Sequence, residues 1–159
     1  MAEEKDLIQA QKTFDTLCRA LDNHNLKYRK NPERLTIDCG AQGDDLPMDV
    51  NISVDADVML IILLSQLPFV VQEDKRIDVA VAVSAVNNLI VDGSFDYDLR
   101  SGRMVFRMTS SFLESSVGED VFSYMLLCSF KTIDDFNDKF LMIAKGMLPL
   151  EKFLEDLNK

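Results

Sequence analysis

Residues 87–107 constrain the fold more than any other segment, because they have the pattern of a β-hairpin. Apolar and acidic side chains alternate over residues 95–99, and every second side chain over residues 103–108 is apolar. This period of two is typical of half-buried strands. A short, even-length loop through Ser101 and Gly102 is expected to join the two strands.

The register of this hairpin follows from requiring that the apolar faces of the two strands oppose each other. It places Asp96 directly across from Arg107, as an exposed ion pair worth about 0–1 kcal/mol. The predicted apolar pairs are Leu99 with Met104, Tyr97 with Phe106, and Phe95 with Met108.

The length and composition of the chain predict one domain over residues 1–159. Hydrophobic residues make up 47% of the sequence and charged residues 28%, which is ordinary for a globular protein. A domain of this size buries roughly 70% of the surface that its unfolded chain exposes, so a sizeable core can form.

The charge balance bounds the partners of the protein. Seventeen basic residues stand against 27 acidic ones, which gives a formal net charge of −10. Such a charge repels phosphate backbones and anionic membranes, so neither nucleic acid nor a membrane is an expected partner. The apolar run over residues 58–71 includes Pro68 and is shorter than the ~20 residues of a membrane-spanning helix.

Cysteine usage and the first residues of the sequence predict a cytoplasmic location. Cys18, Cys39 and Cys128 lie far apart, and an odd number of cysteines cannot form a complete disulfide set, so reduced thiols are expected. The sequence begins Met-Ala-Glu-Glu-Lys-Asp, which is acidic where a secretory signal would be basic and then apolar.

The first half of the chain has the pattern of one helix followed by antiparallel strands. Apolar residues between Leu7 and Leu21 recur at helical spacing, and Asn23-His24-Asn25 ends that helix. An exposed loop is predicted over residues 40–47. The four expected strands, which form a meander, cover residues 26–29, 34–39, 48–54 and 58–64.

The second half is predicted to contain helices on both sides of the hairpin. Residues 76–90 fit a helix because of their length and their alanines, although their valines also alternate as in a strand. Ser116 and Glu119 have capping-box spacing, so a helix is expected to begin there. A second helix is expected to start at residues 132–135.

Two features of this C-terminal region bear on packing. The segment from Val121 to Phe130 is apolar nearly all round, which suits either the centre of the core or a surface shared by two subunits. Pro149 opens a last short turn. The buried side of the final helix is predicted to contain Phe136, Phe140, Ile143 and Met147.

No group of residues predicts catalysis, a metal ion or a cofactor. Alternating oxygen-bearing side chains over residues 49–57 superficially resemble a calcium loop, but Val54 stands where the loop needs glycine. His24 is the only histidine and is expected at the surface. The acidic pairs at 119–120 and 134–135 are interpreted as charges at helix N-termini.

A family resemblance enters through three short motifs. Asn87-x-Leu89, Gly93-Ser94-Phe95-Asp96-x-Asp98 and residues 102–107 together resemble the YbjN-like proteins, a bacterial family named for sensory transduction regulation. The order of helices and strands is also similar to the fold of type III secretion chaperones, which YbjN-like proteins are thought to share. The resemblance implies a compact α+β domain, commonly dimeric, that binds protein rather than transforming a substrate.

These observations predict an α+β fold, with an antiparallel sheet of a meander plus a C-terminal hairpin packed against helices. The predicted function is a non-enzymatic, chaperone- or regulator-like interaction module that binds a protein partner and forms a homodimer. Tyr124 and Leu127 are the expected contact residues, because Phe122, Leu126 and Phe130 should face the sheet.

Two alternatives remain open at this point. A single large core could take up every apolar residue of the segment from Val121 to Phe130, which would leave no surface for self-association. The protein could also be a small-molecule-binding or enzymatic domain with a pocket between the sheet and the helices.

Overall fold

The structure, a computed structural model, describes residues 1–159 and shows an open six-stranded antiparallel sheet with four α-helices. The α+β fold class predicted from the sequence is therefore confirmed. No helix is long and apolar enough to cross a lipid bilayer. The elements are α1 (Glu4–Asn23), β1 (Tyr28–Asn31), β2 (Thr36–Gln42), β3 (Pro47–Asp55), β4 (Leu60–Gln66), a 3-10 helix (Glu73–Lys75), α2 (Arg76–Leu89), β5 (Ser94–Asp98), β6 (Arg103–Ser111), α3 (Glu119–Ala144) and α4 (Leu150–Leu157).

The sheet has the strand order β1-β2-β3-β4-β6-β5, so the predicted meander and the predicted hairpin belong to one sheet. The long β6 strand joins them by pairing with β4, from Leu60 opposite Ser111 to Gln66 opposite Val105. Strands β1 and β5 form the two edges.

One face of the sheet carries the core and the other faces solvent. Alternate residues of each long strand are buried, as the period of two predicts for a sheet with helices against a single face. The helices that cover this face pack on β3, β5 and β6. The buried apolar strand residues are Ile37, Cys39, Met48, Val50, Ile52, Val54, Ile61, Leu63, Phe95, Met104, Phe106 and Met108.

Helix α1 is amphipathic, as predicted. It begins with a capping box, in which the side chain of Glu3 accepts from the backbone of Asp6 and the side chain of Asp6 accepts from the backbone of Glu3. Its buried side presents Phe14 and Leu17 to the core, whereas Leu7 at its start is exposed.

Three strands of the meander are displaced from their predicted bounds. Strand β1 covers Tyr28–Asn31 rather than residues 26–29. Strand β2 runs on to Gln42 and β3 begins at Pro47, so the predicted exposed loop over residues 40–47 is reduced to residues 43–46. Strand β4 begins at Leu60 rather than Val58. Met59 has a left-handed backbone with φ 55°, which places Val58 in the turn that precedes the strand.

The hairpin forms, but its predicted register is wrong by two residues. Phe95 lies opposite Phe106 and Tyr97 lies opposite Met104. Leu99 consequently leaves the strand and becomes the first residue of a four-residue loop that ends at Gly102. Within this loop, the backbone carbonyl of Asp98 accepts from the Gly102 amide at 2.8 Å.

The predicted ion pair of the hairpin does form, although its partners are diagonal neighbours. Arg107 Nε lies 2.7 Å from Asp96 Oδ2, while the residue directly opposite Asp96 is Val105. Both residues are on the exposed face in either register, because a shift of two residues keeps every side chain on its own face.

Asn87 fixes the end of α2 to the hairpin. Its side-chain amide donates to the Phe95 carbonyl at 2.9 Å, and its side-chain oxygen accepts from the Phe95 amide at 2.9 Å. Because Asn87 supplies both a donor and an acceptor to the same residue, the first strand of the hairpin is held beside α2.

The region after the hairpin contains one long helix where two were predicted. Helix α3 is continuous through residues 132–135, so Asp134 and Asp135 are in mid-helix rather than at a helix N-terminus. The predicted capping box is also wrong, since the N-cap is Gly118 and not Ser116. Glu119 instead binds side chains of α1.

A cluster of phenylalanines holds the C-terminal helices on the sheet. Phe140 packs edge-on against Phe95 at 5.1 Å between ring centroids and lies 6.4 Å from Phe153 of α4. Ile143 is buried as predicted, and Phe136 packs partly buried at the side of the cluster. Met147 was predicted to be buried but is exposed, because α3 ends before it.

Candidate interaction surface on helix α3

The two predicted contact residues lie on the outer side of α3. Tyr124 is 53% exposed and Leu127 is 55% exposed, whereas Phe122 and Leu126 are fully buried against the core. Phe130 is partly buried and packs on the core. The helical phase used to separate core residues from contact residues is therefore correct, and the role of the exposed residues remains a prediction.

Further exposed apolar side chains surround Tyr124. Its hydroxyl donates to a carboxylate oxygen of Asp92 in the loop between α2 and β5, and this hydrogen bond raises the pKa of the Tyr124 phenol. Val91, next to that aspartate, is 95% exposed, and Val121 is 42% exposed. We call Val91, Val121, Tyr124 and Leu127 the α3 patch.

The α3 patch decides one alternative that the sequence left open. A core that took up every apolar residue between Val121 and Phe130 would leave none of them exposed. Val121, Tyr124 and Leu127 are all more than one third exposed, so the core does not use them. Their apolar surface is free to be removed from water by another molecule.

Polar contacts fix the start of α3 beside α1. Glu119 accepts from Arg19 Nε at 3.0 Å and from the Asn23 amide at 2.7 Å. His24 is exposed, as predicted, and its Nε2 is hydrogen-bonded to Ser123 Oγ at 2.9 Å. These contacts hold the first turns of α3, and with them the α3 patch, in a defined position.

A cavity of about 480 Å³ lies beside Leu127, between α3 and the ends of β2 and β3. Its lining includes the apolar residues Leu26 and Phe130 and charged residues of α3 and of the β2–β3 loop. The carboxylate of Asp134 accepts from the backbone amide of Asp44 at 2.9 Å, which ties that loop to the helix.

No three histidine, cysteine, aspartate or glutamate side chains are grouped so that they could hold a metal ion. The alternating oxygen-bearing side chains of β3, such as Asp49 and Asn51, lie on the exposed face of the sheet. Asp134 and Asp135 line the cavity beside Leu127 together with Asp44.

The three thiols differ in accessibility, and Cys128 lies on α3 one turn after Tyr124. Cys18 and Cys39 are buried, while Cys128 is partly exposed. Burial raises the pKa of the Cys39 thiol to about 11 and also raises that of Cys18. Since the thiolate is the reactive form, the raised pKa leaves the Cys39 thiol protonated and unreactive at pH 8.

We therefore expect iodoacetamide at pH 8 to alkylate Cys128 first in the native protein, with Cys18 and Cys39 reacting only as the protein unfolds. Peptide mapping by mass spectrometry after timed quenching measures the order. A Cys128→Ser variant should lack the fast phase. Equal labelling of all three thiols in the native protein would contradict the expectation.

The open antiparallel sheet with helices against one face defines an α+β protein whose most distinctive exposed feature is an apolar helix surface. No family model and no curated protein matches the sequence. Among solved structures, the chain is similar to the crystal structure of YbjN from E. coli, "a putative transcription regulator", with a TM-score of 0.62 and 17% sequence identity. The match covers 85% of this chain and 95% of that chain. The YbjN-like fold predicted from residues 87–107 is confirmed.

Proposed function

We propose that the protein is a non-enzymatic interaction module, chaperone- or regulator-like, that acts in the cytoplasm as one domain. The α3 patch is the observation that carries this proposal. It is apolar, exposed and held in place by polar contacts to α1. The regulator description carried by YbjN, whose fold this chain shares, also supports a role in binding.

We further propose that the α3 patch joins two copies of the protein. An isologous dimer places the same patch on both sides of a two-fold axis, so Tyr124 and Leu127 of each copy can pack on their counterparts. Fully burying a leucine side chain stabilises an interface by about 1.5–3 kcal/mol. A stable interface buries about 800 Å² per partner, and the α3 patch would form its centre.

Light scattering coupled to gel filtration tests the dimer. The chain has a mass of 18.0 kDa, so we expect the native protein to elute at twice that mass and the Leu127→Lys variant at 18.0 kDa. Ile77→Lys is the matched control, because Ile77 is 67% exposed on α2, outside the patch. A native mass of 18.0 kDa at every concentration would refute the dimer.

Binding of a small molecule is the second candidate function. It is favoured by the cavity of about 480 Å³ beside Leu127, which is lined by both apolar residues and carboxylates. The cavity is open to solvent, and two of those carboxylates, Asp134 and Asp135, are neighbours on one helix rather than converging groups. We therefore place protein binding first.

A further inference from the structure

We propose that a second surface, at one end of the sheet, binds a cationic amphipathic peptide segment of a protein partner. We call it the end groove. It has a volume of about 730 Å³ and lies where the start of α1, the β3–β4 turn and the β6–α3 connection meet. Its lining includes Asp6, Asp57, Val58, Leu113 and Glu114.

The apolar part of the end groove consists of two aliphatic side chains that the core does not use. Val58 is 56% exposed and Leu113 is 64% exposed. They come from segments more than 50 residues apart in the sequence, yet they line the same groove. Together they offer an apolar contact surface to a ligand that carries apolar side chains of its own.

Hydrogen bonds hold both aliphatic residues in place. The amide of Val58 donates to Asp55 Oδ1 at 3.3 Å, and the amide of Leu113 donates to Ser111 Oγ at 3.1 Å. A ligand therefore meets a surface that is already ordered, so little conformational entropy is lost on binding.

Two residues of the end groove have a left-handed backbone conformation, which determines which side chains face the groove. Met59 has φ 55° and Glu114 has φ 50°, the left-handed region that non-glycine residues seldom adopt. Each directly follows one of the exposed aliphatic residues. Met59 turns its own side chain into the core, and its carbonyl accepts from the Phe112 amide at 3.0 Å, which joins the two walls.

Four of the five charged side chains that line the end groove are carboxylates. Lys5 is the fifth, and its Nζ already lies 3.1 Å from Glu3 Oε2. Asp57 lies 3.6 Å from the amino group of Met1. Glu3 and Asp57 therefore each already lie beside a positively charged group of the chain itself.

The remaining two carboxylates of the end groove, Asp6 and Glu114, make no ion pair with any residue of the chain. They stand beside the exposed aliphatic pair, one on α1 and one on the β6–α3 connection. Unpaired negative charges beside an apolar surface attract a ligand with the opposite pattern, lysine or arginine next to aliphatic side chains, and repel acidic ligands.

This inference rests on the proposed function only in assuming that the protein binds other proteins. The end groove shares no residue with the α3 patch, so loss of the dimer and loss of peptide binding are separate results. A variant of Leu127 that no longer dimerises should still bind the peptide with unchanged affinity.

Fluorescence anisotropy with two labelled peptides tests the end groove. One peptide has about 14 residues with leucines on one helical face and lysines on the other, and its partner has glutamate in place of each lysine. We expect the lysine peptide to bind and the glutamate peptide not to bind. We expect Glu114→Lys, and separately a Val58→Ser, Leu113→Ser double variant, to weaken binding by about 10-fold.

Because the whole protein is acidic, the decisive control is a variant with the same change of net charge at another place. Asp45→Lys serves, since Asp45 is exposed in the β2–β3 loop, does not line the end groove and makes no ion pair. It should weaken binding by less than about 2-fold, as expected for a screened distant charge. Thermal unfolding by circular dichroism confirms that each variant is folded.

Three results would overturn the inference. Asp45→Lys and Glu114→Lys could weaken binding equally, which would mean that net charge alone attracts the peptide. The double variant could bind as tightly as the native protein, which would exclude the aliphatic contact. The double variant could have a lower mass in solution than the native protein, which would show that a second copy occupies the end groove.

Discussion

Replacing Phe140 with alanine is expected to lower the free energy of unfolding by about 3–5 kcal/mol, the range for removing a buried phenylalanine. Phe140 is fully buried and packs edge-on against Phe95 at 5.1 Å and beside Phe153 at 6.4 Å. The side chain therefore joins α3 to β5 and to α4. Removing it leaves a cavity that three different elements would have to close.

Urea denaturation followed by circular dichroism measures the effect of Phe140→Ala. Phe136→Ala is the matched comparison, because Phe136 lies on the same helix and contacts Phe140 but is only partly buried. It should cost clearly less than Phe140→Ala. Equal losses, or a loss below about 1 kcal/mol for Phe140→Ala, would mean that the cluster does not hold α3 on the sheet.

Replacing Gly102 with alanine is expected to lower the free energy of unfolding by about 2–5 kcal/mol. Gly102 has φ 72°, a conformation that costs an alanine roughly 1–2 kcal/mol. An added Cβ would also lie 2.1 Å from the carbonyl oxygen of Val71, and relieving such overpacking costs about 1–3 kcal/mol. The close contact between the backbones of Gly102 and Val71 is part of the fold, since the Val71 amide donates to the Gly102 carbonyl at 2.9 Å.

The control for Gly102→Ala is Gly118→Ala. A Cβ on Gly118 would meet no atom within 4 Å, and its φ of −82° suits any residue. Gly118→Ala should lower the free energy of unfolding by less than about 1 kcal/mol, which is the usual size of the effect of replacing an N-cap residue. If both variants lose the same stability, the close approach of the hairpin loop to Val71 is not what makes Gly102 necessary.

The sequence alone predicts some features of the hairpin and leaves others undetermined. Alternating side chains identified both strands, their inward faces and the Asp96–Arg107 ion pair. They could not fix the register, because a shift of two residues leaves the same side chains buried. The register depends on the four-residue loop, in which the Asp98 carboxylate accepts from the Arg100 amide at 3.0 Å and Gly102 adopts a positive φ.

The length of α3 was missed for a related reason. Acidic residues such as Asp134 and Asp135, which follow the polar residues Lys131 and Thr132, are common at helix starts. They therefore indicated a second helix. In the structure Asp134 instead binds the backbone of Asp44, a contact between residues 90 positions apart. Local patterns contain no information about such a partner.

The α3 patch and the end groove also differ in how far local sequence patterns can predict them. The exposure of Tyr124 and Leu127 follows from helical phase, so it could be predicted from a single segment. The end groove could not, because it is assembled from the start of α1, the β3–β4 turn and the β6–α3 connection. No signal within the sequence marks it, because Val58 opens an apolar run and Leu113 directly follows Phe112.

The pairing of β4 with β6 has a consequence for how the chain folds. The meander and the hairpin each contain contacts that are close in sequence, so each can form early and on its own. Among the strands, only the β4–β6 ladder joins them, and it closes a loop of about 40 residues that includes α2. This docking step is therefore expected to limit the folding rate, since non-local contacts pay the cost of loop closure before they return any stabilisation.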